Sequence, residues 1–145
     1  MTGSHEKWDF LETKLDCSVP VVMGIINITP DSFSDGGRLH EPVSAVERGL
    51  QLVEQGADLL DVGGESTRPG SQQVSAAEEL ERVLPVIQAL TKLDILVSID
   101  TYKAPVAEAA LQSGASLVND VWGFKADPAL AEVVRAREEG VRRDV

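Results

Sequence analysis

The densest group of oxygen-bearing side chains follows the apolar segment "VPVVMGII", in the stretch "NITPDSFSDGG" at residues 27–37. Amide and carboxylate oxygens at Asn27, Asp31 and Asp35 suit a hard cation such as Mg2+, which keeps several waters and bridges phosphate groups. Phe33 lies in the middle of the stretch, and its ring needs a surface to pack on when such a loop closes. The stretch is therefore either a loop that closes over an anion or a solvated surface loop.

A second candidate group is the stretch "DVGGESTRPG" at residues 61–70. Gly63 and Gly64 allow a sharp turn and a close approach of the backbone to a ligand. Thr67 and Arg68 then supply a hydroxyl and a guanidinium, which together suit phosphate or carboxylate. The alternative is a surface loop with one solvated arginine.

Two further apolar runs end in polar side chains, at Asp100 and at the pair Asn119 and Asp120. A half-buried carboxylate needs a donor partner, and Asp100 could accept hydrogen bonds from the N–H groups of a heterocycle. An amide both donates and accepts, which suits the edge of a purine-like or pterin ring. The alternative is a structural role in capping the next helix or loop, and Asp61 is open to both readings.

Four strand-like runs would position these groups, and a helix-like run follows each of them. The runs cover residues 21–26, 58–62, 94–100 and 116–120. Alternation of this kind predicts right-handed crossovers and a parallel sheet, as in a doubly wound fold or a (β/α)8 barrel. A polar residue at every strand end, and no glycine-rich nucleotide motif after the first strand, favour the barrel. The predicted fold class is α/β, with about four β-α units that form the N-terminal half of a TIM barrel.

Local signals predict where the helices begin and end. Pro42 suits a first helical turn and Gly56 suits a helix stop. Ser75 and Glu78 have the spacing of a capping box at the start of the second helix. Pro85 is predicted to kink that helix or to break it in two.

Composition limits the class of protein. The chain has 145 residues, enough for one domain with an aliphatic core, and a formal net charge of −11. That charge argues against nucleic acid as a partner, because a phosphate backbone favours a basic surface. Cys17 is the one cysteine, which excludes an intrachain disulfide. With no signal-like start and no long apolar run, we predict a cytoplasmic protein without a membrane span.

Long motifs in the chain resemble dihydropteroate synthase. They are "MGIINITPDSFSDGG", "GADLLDVGGESTRPG", "SIDTYKA" and "GASLVNDVWG". The resemblance covers about residues 20–134, and residues 135–145 form a divergent tail. We therefore treat 1–145 as one partial pterin-binding barrel domain.

The resemblance implies a reaction and a set of site residues. The family condenses 6-hydroxymethyl-7,8-dihydropterin diphosphate with p-aminobenzoate to dihydropteroate, in folate biosynthesis. By resemblance, Asn27 contacts Mg2+ and diphosphate, and the loop with Asp31, Phe33 and Asp35 closes over the substrates as the catalytic loop. The positions that match substrate-binding residues of the family are Thr67, Arg68, Pro69, Asp100 and Asn119.

The resemblance also leaves alternatives open. The family's second half supplies a further Asp, a Lys, an Arg and a His, and none of these has a counterpart in the sequence. We therefore expect a truncated or frameshifted N-terminal half, with its fourth strand as an open edge. The alternatives are a non-catalytic pterin-binding fragment or a subunit that needs a second chain, such as a homodimer. A methyltetrahydrofolate methyltransferase is less favoured, because the oxygen-rich loop suits a diphosphate leaving group.

Overall fold

The computed structural model describes residues 7–10, 13–29 and 42–143, with side chains described for 15–29 and 42–137. The strands are β1 (Lys7–Phe10), β2 (Thr13–Asp16), β3 (Met23–Asn27), β4 (Leu59–Gly63), β5 (Val97–Asp100) and β6 (Leu117–Asn119). The helices are α1 (Pro42–Glu54), α2 (Ala76–Thr91), α3 (Ala104–Gln112) and α4 (Ala129–Arg143). Among these residues, no helix is long and apolar enough to cross a bilayer.

The main sheet is parallel, with its four strands in the order β3-β4-β5-β6. The four predicted β-α units are therefore confirmed, and consecutive units lie side by side. A small antiparallel hairpin of β1 and β2 precedes the sheet. That hairpin was not predicted from the sequence.

The hydrophobic core lies between the helices and one face of the parallel sheet. Ile26, Val62 and Ile99 are register partners on β3, β4 and β5, and each is at most 1% exposed. They pack against apolar side chains of α2 that include Val86 and Leu90. Because side chains alternate along a strand, the residues between these partners point to the opposite face of the sheet.

The predicted ends of the helices are mostly confirmed. Helix α1 begins at Pro42, and Gly56 just after it has a φ of 109°, which favours glycine. The Ser75 hydroxyl accepts a hydrogen bond from the Glu78 backbone N–H at 3.2 Å. Of the two effects predicted for Pro85, the break is wrong, because α2 runs without interruption from 76 to 91, and the kink stays a prediction. Pro85 is exposed, so water can solvate the carbonyl that loses its partner while the apolar face of α2 stays packed on the sheet.

Candidate functional site

The register of the parallel sheet aligns the ends of its four strands. Asn27, Gly63, Asp100 and Asn119 are successive Cα partners across β3, β4, β5 and β6. All four lie on the sheet face opposite the core, because three of them follow buried residues by one position and Asn119 follows Val118, which is partly buried and packs against the core. Three strand-end residues predicted from the sequence thus share one row at the carboxyl edge of the sheet.

Gly63 leaves a gap in that row. A Cβ atom at this position would lie 3.4 Å from Asp100 Oδ2 and 3.5 Å from Asn27 Oδ1. The backbone of β4 therefore forms the floor between an amide on one side and a carboxylate on the other. Because residue 63 has no side chain, the space over this floor stays open between the two groups.

An open cleft joins this row to the loop after β4. Its lining includes the predicted residues Asn27, Thr67, Arg68, Pro69 and Asp100, together with Thr29 and Glu65. Asn119 does not line this cleft and lies beside Asp100 on the next strand. The structure therefore brings residues from separate motifs to one opening, with Asn119 at its flank.

The loop after β4 is held in a tight turn by its own hydrogen bonds. The Ser71 hydroxyl donates to the backbone oxygens of Ser66 and Arg68 at 2.6 and 2.7 Å. The Arg68 N–H donates to Ser66 Oγ at 3.3 Å, and Gly70 has a φ of 83°. These contacts leave the side chains of Thr67 and Arg68 exposed at the cleft.

Asp61 lies one step below the row and is buried. Its side chain accepts a hydrogen bond from Asn119 Nδ2 at 3.0 Å, and its Oδ1 atom has no hydrogen-bond partner among the described residues. Burial raises the pKa of Asp61, while the Ser98 hydroxyl and the Asn119 amide oppose that rise. Asp61 is thus a buried acid beneath the strand-end row, hydrogen-bonded to Asn119 in that row.

Asp100 is an acidic side chain of the cleft with a raised pKa. Burial, followed by the negative charges of Asp61, Glu79 and Asp120, raises the pKa of Asp100 to about 6. A carboxylate in this setting gains from hydrogen-bond donors or from a cation, since either one offsets the local negative charge. The geometry therefore suits a ligand that presents N–H groups to Asp100.

A buried ion cluster lies beside the cleft, and sequence reasoning did not predict it. Lys103 Nζ contacts the carboxylates of Glu65 and Glu79, and the Tyr102 hydroxyl donates to Glu65 Oε1 at 3.0 Å. Glu79 is 1% exposed and lies on the apolar face of α2, one turn before the buried Val83. A charged residue within an apolar helical stripe was the available signal, because such a charge requires a partner.

No ready-made metal cage is present in the described ranges. Within them, no cluster of three or more His, Cys, Asp or Glu side chains is arranged to hold an ion. The Asn27 amide oxygen at the edge of the cleft suits Mg2+ as one protein ligand beside water and phosphate oxygens. Asp31, Phe33 and Asp35 lie outside the described residues, so closure of their loop stays a prediction.

Comparison with known proteins supports a family assignment. A family model described as "pterin binding enzyme" matches residues 23–141. The chain belongs to this family. The match covers every strand of the parallel sheet and most of α4.

The similar proteins are dihydropteroate synthases. The chain is 56% identical over 113 residues to the enzyme of Clostridium beijerinckii, covering 77% of this chain and 42% of that one. A Clostridium difficile structure determined in the presence of pteroic acid has a TM-score of 0.74 and 54% identity, with 79% and 44% coverage. A Xanthomonas albilineans structure with 4-aminobenzoic acid has a TM-score of 0.81 and 46% identity, with 88% and 48% coverage.

These likenesses confirm the predicted resemblance and the predicted fold class, an α/β partial barrel of about four β-α units. The chain spans less than half the length of these three relatives, at 42% to 48%. The relatives are transferases.

Proposed function

We propose that this chain carries the N-terminal part of a dihydropteroate synthase site. It would bind 6-hydroxymethyl-7,8-dihydropterin diphosphate and present it to p-aminobenzoate for condensation to dihydropteroate. The observation that carries the proposal is the single cleft lined by Asn27, Thr67, Arg68, Pro69 and Asp100. The named ligands of the similar structures, pteroic acid and 4-aminobenzoic acid, agree with this chemistry.

The pterin ring would occupy the strand-end row. The Asp100 carboxylate would accept hydrogen bonds from ring N–H groups, which also relieves the charge crowding around it. Because Asn119 Nδ2 donates to Asp61, the Asn119 amide is held with its oxygen available as an acceptor beside the ring. Because Gly63 has no side chain, the flat ring would lie over the backbone of β4 at this position.

The diphosphate would lie at the other end of the cleft. The Thr67 hydroxyl and the Arg68 guanidinium would donate to its oxygens, and Arg68 can do so with two parallel hydrogen bonds. Asn27 would hold Mg2+, which supplies charge neutralisation of the diphosphate when bound. In the reaction the C–O bond to diphosphate breaks with its electron pair on oxygen, and the arylamine nitrogen bonds to the methylene carbon and loses a proton. Pro69 would pack on the aryl ring.

The charge of the substrate bears on the cell compartment in which the reaction takes place. A diphosphate ester does not cross a bilayer unaided, so its consumer works in the compartment that makes it, and we place the chain in the cytoplasm. The net charge of −11 supports a small-molecule substrate rather than a nucleic acid.

Calorimetric titration with the pterin diphosphate, with and without Mg2+, tests the proposed function. We expect saturable binding that strengthens with Mg2+, and a loss of at least tenfold in affinity for Arg68→Ala. Arg68→Lys should recover part of that loss, because a point charge replaces the fork of N–H donors. Arg48→Ala, on the exposed face of α1, is the matched control and should bind like the wild type. If Arg68→Ala binds as tightly as Arg48→Ala, the site is elsewhere.

As a second candidate function, the chain would act as a subunit that pairs with another copy of itself. Among the described residues β3 is an edge strand, and its Met23 and Ile25 are 42% and 58% exposed on the face opposite the buried Ile26. Large apolar side chains on an unpaired edge strand favour contact with another chain. Light scattering measures the mass of the chain in solution. A stable homodimer supports pairing, and a monomer contradicts it.

A further inference from the structure

Lys103 joins three separate segments of the chain beside the cleft. It is the residue before the first turn of α3, and its Nζ contacts Glu65 in the loop after β4 and Glu79 in α2. The distance to Glu79 Oε2 is 2.6 Å. The same ammonium lies 4.7 Å from the centroid of the Tyr102 ring. One cation thus connects the loop, the helix and the end of β5.

This cluster is shielded from solvent. The side chains of Lys103, Glu65 and Glu79 are 15%, 10% and 1% exposed. Burial alone would lower the pKa of Lys103, and the hydrogen bonds to Glu65 and Glu79 outweigh it, so the pKa is raised. Lys103 therefore stays charged, and neither carboxylate can lose it without becoming a buried, unpaired charge.

Glu65 closes the base of the loop that carries the diphosphate-binding candidates. Its Oε2 atom accepts from the Val74 N–H at 3.4 Å, and its Oε1 atom accepts from the Tyr102 hydroxyl at 3.0 Å. Glu65 is two residues before Thr67, and Val74 lies past the turn made by Ser66 and Ser71. The carboxylate therefore joins both ends of the segment 65–74 and anchors them on Lys103.

We propose that Lys103 is a positioning residue for the loop at 65–74. By holding Glu65, it keeps the base of the loop closed and so keeps Thr67 and Arg68 facing the cleft. Lys103 itself does not line that cleft, so it acts through Glu65 rather than on the ligand. The inference rests on the proposed function for the role of the loop, whereas the closure of the loop is a property of the free chain.

Backbone hydrogen–deuterium exchange of the whole chain tests the closure directly. Lys103→Met removes the cation, and Lys103→Arg keeps a charge of the same sign. Glu65→Gln is the second variant: it weakens the anchor while Lys103 and Glu79 remain paired, so no buried carboxylate is left alone. The matched control is Arg135→Met, which breaks an exposed ion pair with Glu132 on α4.

We expect amides of 65–74 to exchange at least tenfold faster in Lys103→Met and Glu65→Gln, with β3 and α1 unchanged. Lys103→Arg and Arg135→Met should exchange like the wild type. Unchanged exchange of 65–74 in Glu65→Gln would overturn the proposal, and so would a uniform increase across the chain, which indicates a merely structural role.

Affinity for inorganic diphosphate with Mg2+ gives an independent readout. The affinity should fall about tenfold in Glu65→Gln. It should also be higher in Lys103→Arg than in Lys103→Met, because the arginine keeps the positive charge. If the wild type fails to bind diphosphate, the proposed function fails, and the exchange of 65–74 still decides whether Lys103 positions the loop. If diphosphate binds equally to wild type and Glu65→Gln, the positioning role is wrong.

Discussion

The Asn119 side chain donates a hydrogen bond to Asp61 at 3.0 Å, although these residues lie on β6 and β4 with β5 between them. Two strand spacings amount to about 9.5 Å, so the two side chains lean towards each other across β5. The contact joins a strand-end amide beside the cleft to a buried carboxylate. The conformation of the amide is thereby coupled to the state of an acid that solvent hardly reaches.

Removing this donor should destabilise the fold. Asn119→Ala leaves the buried Asp61 without its amide donor, which should lower the free energy of unfolding by about 1–3 kcal/mol at pH 7. Asn119→Asp should cost more, because it places a second carboxylate beside Asp61. Chemical denaturation measures both, with Gln88→Ala on the exposed face of α2 as control. Equal stability of Asn119→Ala and the control would show that the contact contributes nothing.

The two adjacent glycines at the end of β4 should respond differently to alanine. At Gly64 a Cβ atom would lie 2.9 Å from Val83 Cγ1 and 3.2 Å from the Glu79 carbonyl oxygen, so Gly64→Ala should cost about 1–3 kcal/mol. At Gly63 the nearest atoms are at 3.4 Å or more, so Gly63→Ala should change stability by about 1 kcal/mol or less.

Ligand affinity completes that comparison. Because the new methyl group of Gly63→Ala fills the space between Asn27 and Asp100, pterin affinity should fall although the fold is kept. Thermal unfolding and pterin titration of the two variants separate these effects. The expectation is wrong if Gly63→Ala loses as much stability as Gly64→Ala.

Asp100 should make stability fall as pH rises through the weakly acid range. Its pKa in the folded chain is about 6, raised from 3.8 by burial and by nearby carboxylates, so the folded state binds the proton more tightly. Stability contributed by the protonated form is therefore lost between about pH 4 and pH 6. Asp100→Asn should not show this loss. It should be more stable than the wild type at pH 7.5 by about 1 kcal/mol, a figure reduced for partial exposure.

Denaturant unfolding at pH 4 and pH 7.5 measures the effect of Asp100→Asn. The difference between variant and wild type should be small at pH 4 and should develop by pH 6. Glu108→Gln on the exposed face of α3 is the control and should stay within about 0.5 kcal/mol of the wild type at both pH values. A wild-type stability that rises from pH 4 to pH 6 as far as that of the variant would contradict the shift.

The exposed edge strand gives a prediction for self-association. Ile25→Lys places a charge on the apolar side of β3 and should weaken any dimer by at least tenfold, because edge lysines oppose strand pairing. Val43→Lys is the matched control, since Val43 is 65% exposed and lies on α1 rather than on β3. Sedimentation velocity over a range of concentrations measures both. Equal weakening by the two variants would indicate a general charge effect.

Much of the fold could be predicted from local patterns. Apolar runs marked every strand of the parallel sheet, and Pro42, Gly56 and Ser75 marked helix ends, because these signals act within a few residues. The third run was predicted from residue 94, whereas β5 begins at Val97, since Leu93 and Asp94 still belong to the turn after α2. The hairpin of β1 and β2 was missed because its two strands are short and rich in charged residues. Such strands form only by pairing with each other.

The sequence by itself determined the chemistry available and the family. The amide of Asn27, the carboxylate of Asp100 and the loop with Thr67 and Arg68 each follow an apolar run. A parallel sheet brings the ends of such strands together at one edge. The tertiary structure alone decided which groups meet. The contacts of Lys103 with Glu65 and Glu79 join residues 38 and 24 positions apart, and the bond from Asn119 to Asp61 spans 58. Such partners are set by register and by helix packing, which depend on the whole chain rather than on any local run of residues.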